Sequence, residues 1–235
     1  MSRPWDDALA DWWVGEVAAD PVYAGEVVPL ALGVLDPVPG RLYLELGCGE
    51  GEVMRAVAGR GARVLGCDLS ERLARRAAAA GPVAVCRLPD LSWVRAGSLD
   101  GACAVLVLEH LEEPEPLFAE AARIVRPGGV LALVSNHPAY TAPGSGPLVD
   151  PEDGEVLWRW GPYMEEGSSE EPAGEGSVVF HHRSLGVLLT AAASAGWCLE
   201  RLVEHGVGEE RAAEDSLLAA QRQIPRLLAV RWVRR

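Results

Sequence analysis

Leu42-Tyr43-Leu44-Glu45-Leu46-Gly47-Cys48-Gly49-Glu50-Gly51 decides how the rest of the chain reads. A strand-like, mostly apolar run leads straight into glycines at every second position. Glycine has no Cβ, so this alternation leaves one side of a turn bare and lets a ligand lie against the backbone. Glu52 to Gly59 continues as a helix. Its first N–H groups have no partner inside the helix and face the same turn. Strand, bare turn and helix N-terminus together point to a nucleotide-like ligand.

The alternation recurs downstream. Arg63–Cys67, Val83–Cys86, Gly101–Val107 and Val130–Ser135 read as strands, with helices from Ser70 and over Glu115–Val125 between them. Continuous apolar strands alternating with amphipathic helices predict a parallel sheet covered on both faces. Right-handed crossovers bring all the strand C-termini to one edge, where such sheets bind ligands. Helices at Trp5–Val14 and Glu26–Leu35 precede the sheet. A helix over Arg183–Gly196, a strand at Trp197–Val203, a helix near Glu209–Arg222 and a strand at Leu227–Val233 follow it, the last two strands forming an antiparallel pair. The expected architecture is α/β in one domain over residues 1–235: a mostly parallel seven-stranded sheet with an antiparallel last strand. N-terminal helices fill residues 1–40, and residues 137–180 form a lid or substrate insertion. Within it Glu165–Gly176 has few apolar residues and is expected to be mobile.

Charge and composition narrow the function. The chain's 34 acidic and 21 basic residues leave a net charge of −13, so it lacks the cationic face that sequence-independent nucleic-acid or anionic-membrane binding needs. With 49% hydrophobic residues, 26 glycines and 17 prolines, it is globular and rich in turns. Cys48, Cys67, Cys86, Cys103 and Cys198 form no C-x-x-C pair and no cysteine/histidine cluster of metal-ligand spacing. They read as buried free thiols in a reducing compartment, and no metal is expected. Met1–Trp13 lacks the apolar run of a signal peptide, and no stretch approaches the ~20 apolar residues of a membrane span. The expectation is a cytoplasmic protein that engages neither nucleic acid nor membrane. Its oligomeric state is open, a homodimer being one option.

The acids near the turn refine the ligand. A dinucleotide site is written G-x-G-x-x-G, with the pyrophosphate at the helix N-terminus; here the spacing is G-x-G-x-G. Glu50 and Glu52 flank the place a pyrophosphate would take and would repel it, although both also fit as ordinary N-terminal helix acids. Glu45 adds a third carboxylate. A ligand carrying an ammonium and a sulfonium suits these charges. Asp68, about twenty residues after the first glycine, can accept from both hydroxyls of a ribose; it also fits as a turn aspartate before Ser70, the cap of the next helix.

LELGCGEG, GCDLS and SLDGACAVLVLEHLEEPEPLFAEAARIVRPGGVLALVSNHP resemble the S-adenosylmethionine-dependent methyltransferases with a Rossmann-like fold, and His181-His182-Arg183-Ser184-Leu185 to Ala195-Gly196-Trp197 resembles the end of their small-molecule and lipid-type members. The resemblance is most specific over Leu42–Pro138 and includes the Pro127-Gly128-Gly129 turn. It implies S-adenosyl-L-methionine as cofactor and direct displacement of its methyl group onto a small-molecule acceptor. Glu45, Gly47, Cys48, Gly49 and Gly51 would surround the methionine part, Asp68 the ribose and Leu69 the adenine, with Ala104 and Val105 near the methyl group. Where many members carry an Asp-Ala pair to read the adenine amino group, this chain has Arg87 and Leu88. An arginine cannot accept a hydrogen bond, which leaves Asp90 or the backbone of Leu88.

Catalytic residues follow from what methyl transfer demands: alignment, exclusion of water, and a base where the acceptor holds its proton. His137, after the fifth strand, ranks first; His181 and His182 close the insertion; each also fits as a capping or loop histidine. Tyr140, Trp158, Trp160 and Tyr163 would wall the acceptor or anchor the insertion. Two other readings stand beside this one: an NAD(P)-dependent oxidoreductase or epimerase of similar fold, and a non-catalytic protein that binds S-adenosylmethionine.

Overall fold

The computed structural model describes residue 5, residues 7–17 and residues 20–235. Met1–Pro4 and Asp6, covered by the expectations for the N-terminus, lie outside the described residues. The chain opens with α1 (Asp7–Trp12), π-helical turns at Trp13–Val17 and Tyr23–Val27, and α2 (Val28–Leu35). The alternation is then β1 (Leu42–Leu46), α3 (Glu52–Gly59), β2 (Arg63–Asp68), α4 (Glu71–Ala77), β3 (Val83–Val85), β4 (Leu99–Val105), α5 (Glu115–Ile124) and β5 (Val125–Asn136). After α6 (Pro138–Thr141) come β6 (Gly146–Val149), β7 (Val156–Arg159), β8 (Gly167–Ala173) and β9 (Gly176–His182). The chain closes with α7 (Leu185–Ser194), β10 (Trp197–His205), α8 (Glu209–Glu214), α9 (Ser216–Ala220) and β11 (Leu227–Arg234).

One seven-stranded sheet runs in the order β10-β11-β5-β4-β1-β2-β3. β11 is antiparallel to both neighbours, while β5, β4, β1, β2 and β3 pair in parallel. The fold is the expected one. Side chains alternate across the strands and build a core on each face. Leu44, Leu46, Ala102, Ala104, Leu131 and Leu133 face α5 and α7, where Phe118 and Trp232 meet edge to face at 5.6 Å. Tyr43, Cys103, Val105, Ala132 and Val134 face the other way, against Val28, Ala31 and Val34 of α2 and Val53, Met54 and Val57 of α3. Arg231 donates to the carbonyls of Val34 and Leu35 at 2.9 and 2.7 Å, satisfying the open C-terminus of α2.

Three expectations are corrected. The strand expected at Gly101–Val107 ends at Val105, because Leu106 turns the chain with φ +53°; a bulky residue in that region is strained. The helix expected near Glu209–Arg222 is broken at Asp215, whose extended backbone and side chain cap α9 instead. Glu165–Gly176 is not a loose loop: Ser169↔Phe180 and Glu171↔Val178 pair across the β8–β9 hairpin, so backbone ladder bonds supply the order that apolar content does not.

Candidate active site

At the C-terminal edge of β1, the chain turns through Gly47, Gly49 and Gly51 with φ of +69°, +51° and +85°. All three lie in the left-handed region that favours glycine. The space around them is also tight. A Cβ on Gly47 would sit 2.5 Å from a Val107 methyl, and one on Gly51 2.9 Å from Ala77 Cα. Asp68, at the end of β2, holds the turn from the side: its carboxylate accepts from the Gly49 N–H and the Ser70 N–H, each at 2.8 Å. Burial raises its pKa, opposed by these N–H groups. The Ser70 hydroxyl caps α4 by accepting from Leu73 N–H.

The turn opens into a cleft of ≈ 150 Å³ that is partly open to solvent. Gly47, Gly49 and Asp68 form its middle; Leu69, Leu73, Cys86, Arg87 and Leu88 line one end; Val105, Leu106, Val107, His110 and Leu111 the other. Trp5 and Trp13 also line it, meeting edge to face at 5.8 Å. Trp13 lies over the glycine turn, 3.4 Å from where a Gly49 Cβ would be. The β8–β9 hairpin holds this aromatic cover: Trp5 touches the His110 ring at 5.4 Å, and His110 touches Phe180 at 4.8 Å.

Of the residues expected at the cofactor, Gly47, Gly49, Asp68, Leu69, Leu88 and Val105 line the cleft. Glu45, Cys48, Gly51 and Ala104 stand behind it. Glu45 is only 2% exposed, and its Oε2 has no partner. Burial drives its pKa well above the ordinary carboxylate value, opposed by the Met54 N–H. Cys48 points into the β1–β2 core, where a Cβ on Gly66 would be 2.8 Å from its sulfur. Glu50 and Glu52 do not line the cleft; they pair with Arg76 and Arg55, so the expected repulsion of a pyrophosphate is much weakened. Asp90 is exposed, accepts from the Ser92 N–H and also lies outside the lining.

The histidines fall into place differently from the expectation. His137 is 3% exposed and caps α6: its Nδ1 accepts from the Ala139 N–H at 3.0 Å. Nε2 therefore carries the proton and donates to Glu204 at 3.0 Å. Burial lowers its pKa against the pull of Glu204. Both nitrogens are committed, so the ring has no lone pair for a substrate. His182 donates from Nε2 to the Tyr163 carbonyl at 3.0 Å, away from the cleft. His181 lines a smaller pocket with Glu109, Ser135, Asn136 and Arg183, and burial and Arg183 lower its pKa. The insertion aromatics pack against one another, Trp160 remaining exposed. Tyr140 stacks on Trp158 at 5.4 Å, Trp160 meets Tyr163 edge to face at 6.1 Å, and the Tyr163 hydroxyl accepts from Leu185 N–H. None of these four lines the cleft.

His110 is the cleft residue the expectation did not single out. His110 stood at the exit of the fourth strand, on the ligand edge, and that position was a usable signal. Trp5 and Trp13 reach the site through long-range packing. Among the described residues, no group of three or more His, Cys, Asp or Glu is placed to hold a metal, and no helix is long and apolar enough to cross a membrane.

Comparison with known proteins adds to this geometry. A family profile described as "Methyltransferase domain" matches residues 44–133. Among curated relatives, the ubiquinone biosynthesis O-methyltransferase of Hahella chejuensis is 31% identical over 139 residues, which is 55% of this chain and 58% of that protein. The protein of the same name from Thiobacillus denitrificans is 32% identical, over 50% of this chain and 54% of its own length. The chain thus spans little more than half of these curated relatives. The crystal structure of an S-adenosylmethionine-dependent methyltransferase from Mesorhizobium loti superposes with a TM-score of 0.77 at 31% identity, covering 88% of this chain and 96% of that one. A glycine turn without side chains, a buried aspartate beside it and a cleft that continues past both fit the cofactor of that family, and the chain belongs to the S-adenosylmethionine-dependent methyltransferases.

Proposed function

We propose that the protein transfers a methyl group from S-adenosyl-L-methionine to a small-molecule acceptor with a flat, weakly polar body. The observation that carries this reading is a single cleft in which the Gly47–Gly49–Asp68 wall continues into a chamber lined by Trp5, Trp13 and His110. When bound, the cofactor supplies an electrophilic methyl group on a sulfonium. The chain's own residues do the rest. Gly47 and Gly49 present bare backbone, and Asp68 offers acceptor oxygens for paired hydroxyls. Trp5 and Trp13 cover the opening and exclude water, which strengthens every polar contact inside.

His110 is the candidate base. Its Nδ1 lies 3.1 Å from the Val179 carbonyl, which can only accept, so Nδ1 carries the proton. The neutral ring then keeps its lone pair on Nε2, in a ring that lines the cleft. That nitrogen can take the proton of an acceptor hydroxyl or amine as the methyl arrives. The test is a screen of hydroxylated and aminated aromatic compounds with methyl-labelled cofactor, read by product mass. Labelled product that disappears in His110→Ala while cofactor binding persists supports the assignment. Label transfer undiminished in that variant removes His110 from it.

A further inference from the structure

Beyond Asp68, the cleft ends in a short chamber lined by Leu69, Leu73, Cys86, Arg87 and Leu88. With the ribose at Asp68, this is the end the purine base would take. Three leucines supply apolar faces for a flat ring. The polar groups are few and their chemistry is one-sided. Arg87 is the one charged side chain there; its guanidinium has five donors and no acceptor, and among the described residues it makes no hydrogen bond or ion pair. The nearest acid in the chain, Asp90, is exposed, turned to the Ser92 N–H at 3.0 Å, and outside the lining. The Arg87 carbonyl already accepts from the Asp90 N–H at 2.9 Å. Beside these side chains the base edge meets main chain, and the Leu88 peptide offers it one donor and one acceptor.

We infer that this end of the site does not select the 6-amino group of adenine, and that it takes a 6-oxopurine, the inosyl form of the cofactor, about as well as the adenosyl form. The inference rests on the cofactor assignment above. Adenine presents a donor at position 6 beside an acceptor at N1; hypoxanthine presents an acceptor beside a donor. A carboxylate on that edge would accept from the amino group and repel the oxo group. A peptide group that offers one donor and one acceptor meets either pattern, and a guanidinium favours the oxo form.

The experiment is calorimetric titration of the protein with S-adenosylhomocysteine and S-inosylhomocysteine, for the wild type, Arg87→Asp and Arg87→Ala. The expected ratio of dissociation constants, inosyl over adenosyl, is within about threefold for wild type. It rises to roughly tenfold or more in Arg87→Asp, where an acceptor for the amino group is created. Arg87→Ala, which adds no acceptor, stays below that ratio. A wild-type preference for the adenosyl form of about tenfold or more overturns the inference, as does an Arg87→Asp protein that binds both compounds with the wild-type ratio. Should Arg87→Asp fail to fold, by its melting curve, the wild-type ratio decides alone. Binding of the adenosyl compound without the inosyl compound refutes the inference and leaves the cofactor assignment standing; binding of neither removes both.

Discussion

Asp68 and Gly49 are joined by a 2.8 Å hydrogen bond from the glycine N–H to the aspartate carboxylate, so the second strand braces the turn of the first. A carboxylate has more acceptor sites than this bond and the one from Ser70 use, leaving capacity for ligand hydroxyls. Asp68→Asn removes the charge from every one of these contacts. Hydrogen bonds to charged groups contribute ~1.5–3 kcal/mol, so S-adenosylhomocysteine should bind roughly 10- to 100-fold more weakly by calorimetry. Ser70→Ala, which removes only the α4 cap, should lower stability by about 1 kcal/mol and leave that affinity near wild type.

Gly47 and Val107 define the tightest point of the turn. Gly47→Ala both forces a left-handed φ of +69° and drives a methyl to 2.5 Å from the Val107 side chain. Overpacking of this kind costs ~1–3 kcal/mol. Thermal denaturation should show that loss, and the double variant Gly47→Ala/Val107→Ala should recover part of it. No recovery would mean that the backbone angle, not the contact, sets the requirement for glycine.

The sheet was legible from sequence because β1, β4 and β5 are buried on both faces and read as apolar runs, and because Gly47-x-Gly49-x-Gly51 and Asp68 sit at fixed offsets from strand ends. Local spacing carried those features. It could not carry the cover of the cleft: Trp5 and Trp13 reach the glycine turn across a gap in sequence, held by a hairpin whose strand β8 is mostly polar. His137 illustrates the opposite failure. Its position after β5 suggested chemistry, but its partner Glu204 lies 67 residues away, and that pairing turns a candidate base into a cap. Glu50 and Glu52 likewise met arginines on their own and the next helix, which the charge argument did not anticipate.

Glu45 ties stability to pH. Burial raises its pKa in the folded state above the ordinary 4.5, so the folded protein holds a proton that the unfolded chain releases. That favourable contribution is present below about pH 4.5 and is lost as pH rises through the raised folded value. Glu45→Gln removes the titration. The stability difference between Glu45→Gln and wild type, measured by urea unfolding, should therefore move in favour of the variant from pH 5 to pH 8. A difference independent of pH would show that Glu45 is not protonated in the fold.

His137 and His110 should separate cleanly. His137→Gln is expected to lower the melting temperature and leave S-adenosylhomocysteine affinity unchanged, since its ring contacts α6 and Glu204 and not the cleft. His110→Gln is expected to retain saturable S-adenosylhomocysteine binding and to lower kcat by about 10²-fold or more with an acceptor identified by the label screen. The reverse pattern would return catalysis to the exit of β5.

In the proposed function the glycine turn and Asp68 hold S-adenosylmethionine and not a nicotinamide dinucleotide. Titration of the wild-type protein with S-adenosylhomocysteine and, separately, with NAD tests it most directly. Saturable one-to-one binding of S-adenosylhomocysteine, weakened by Asp68→Asn, is expected, with no binding of NAD over the same concentrations. Saturable NAD binding with no heat from S-adenosylhomocysteine would contradict it.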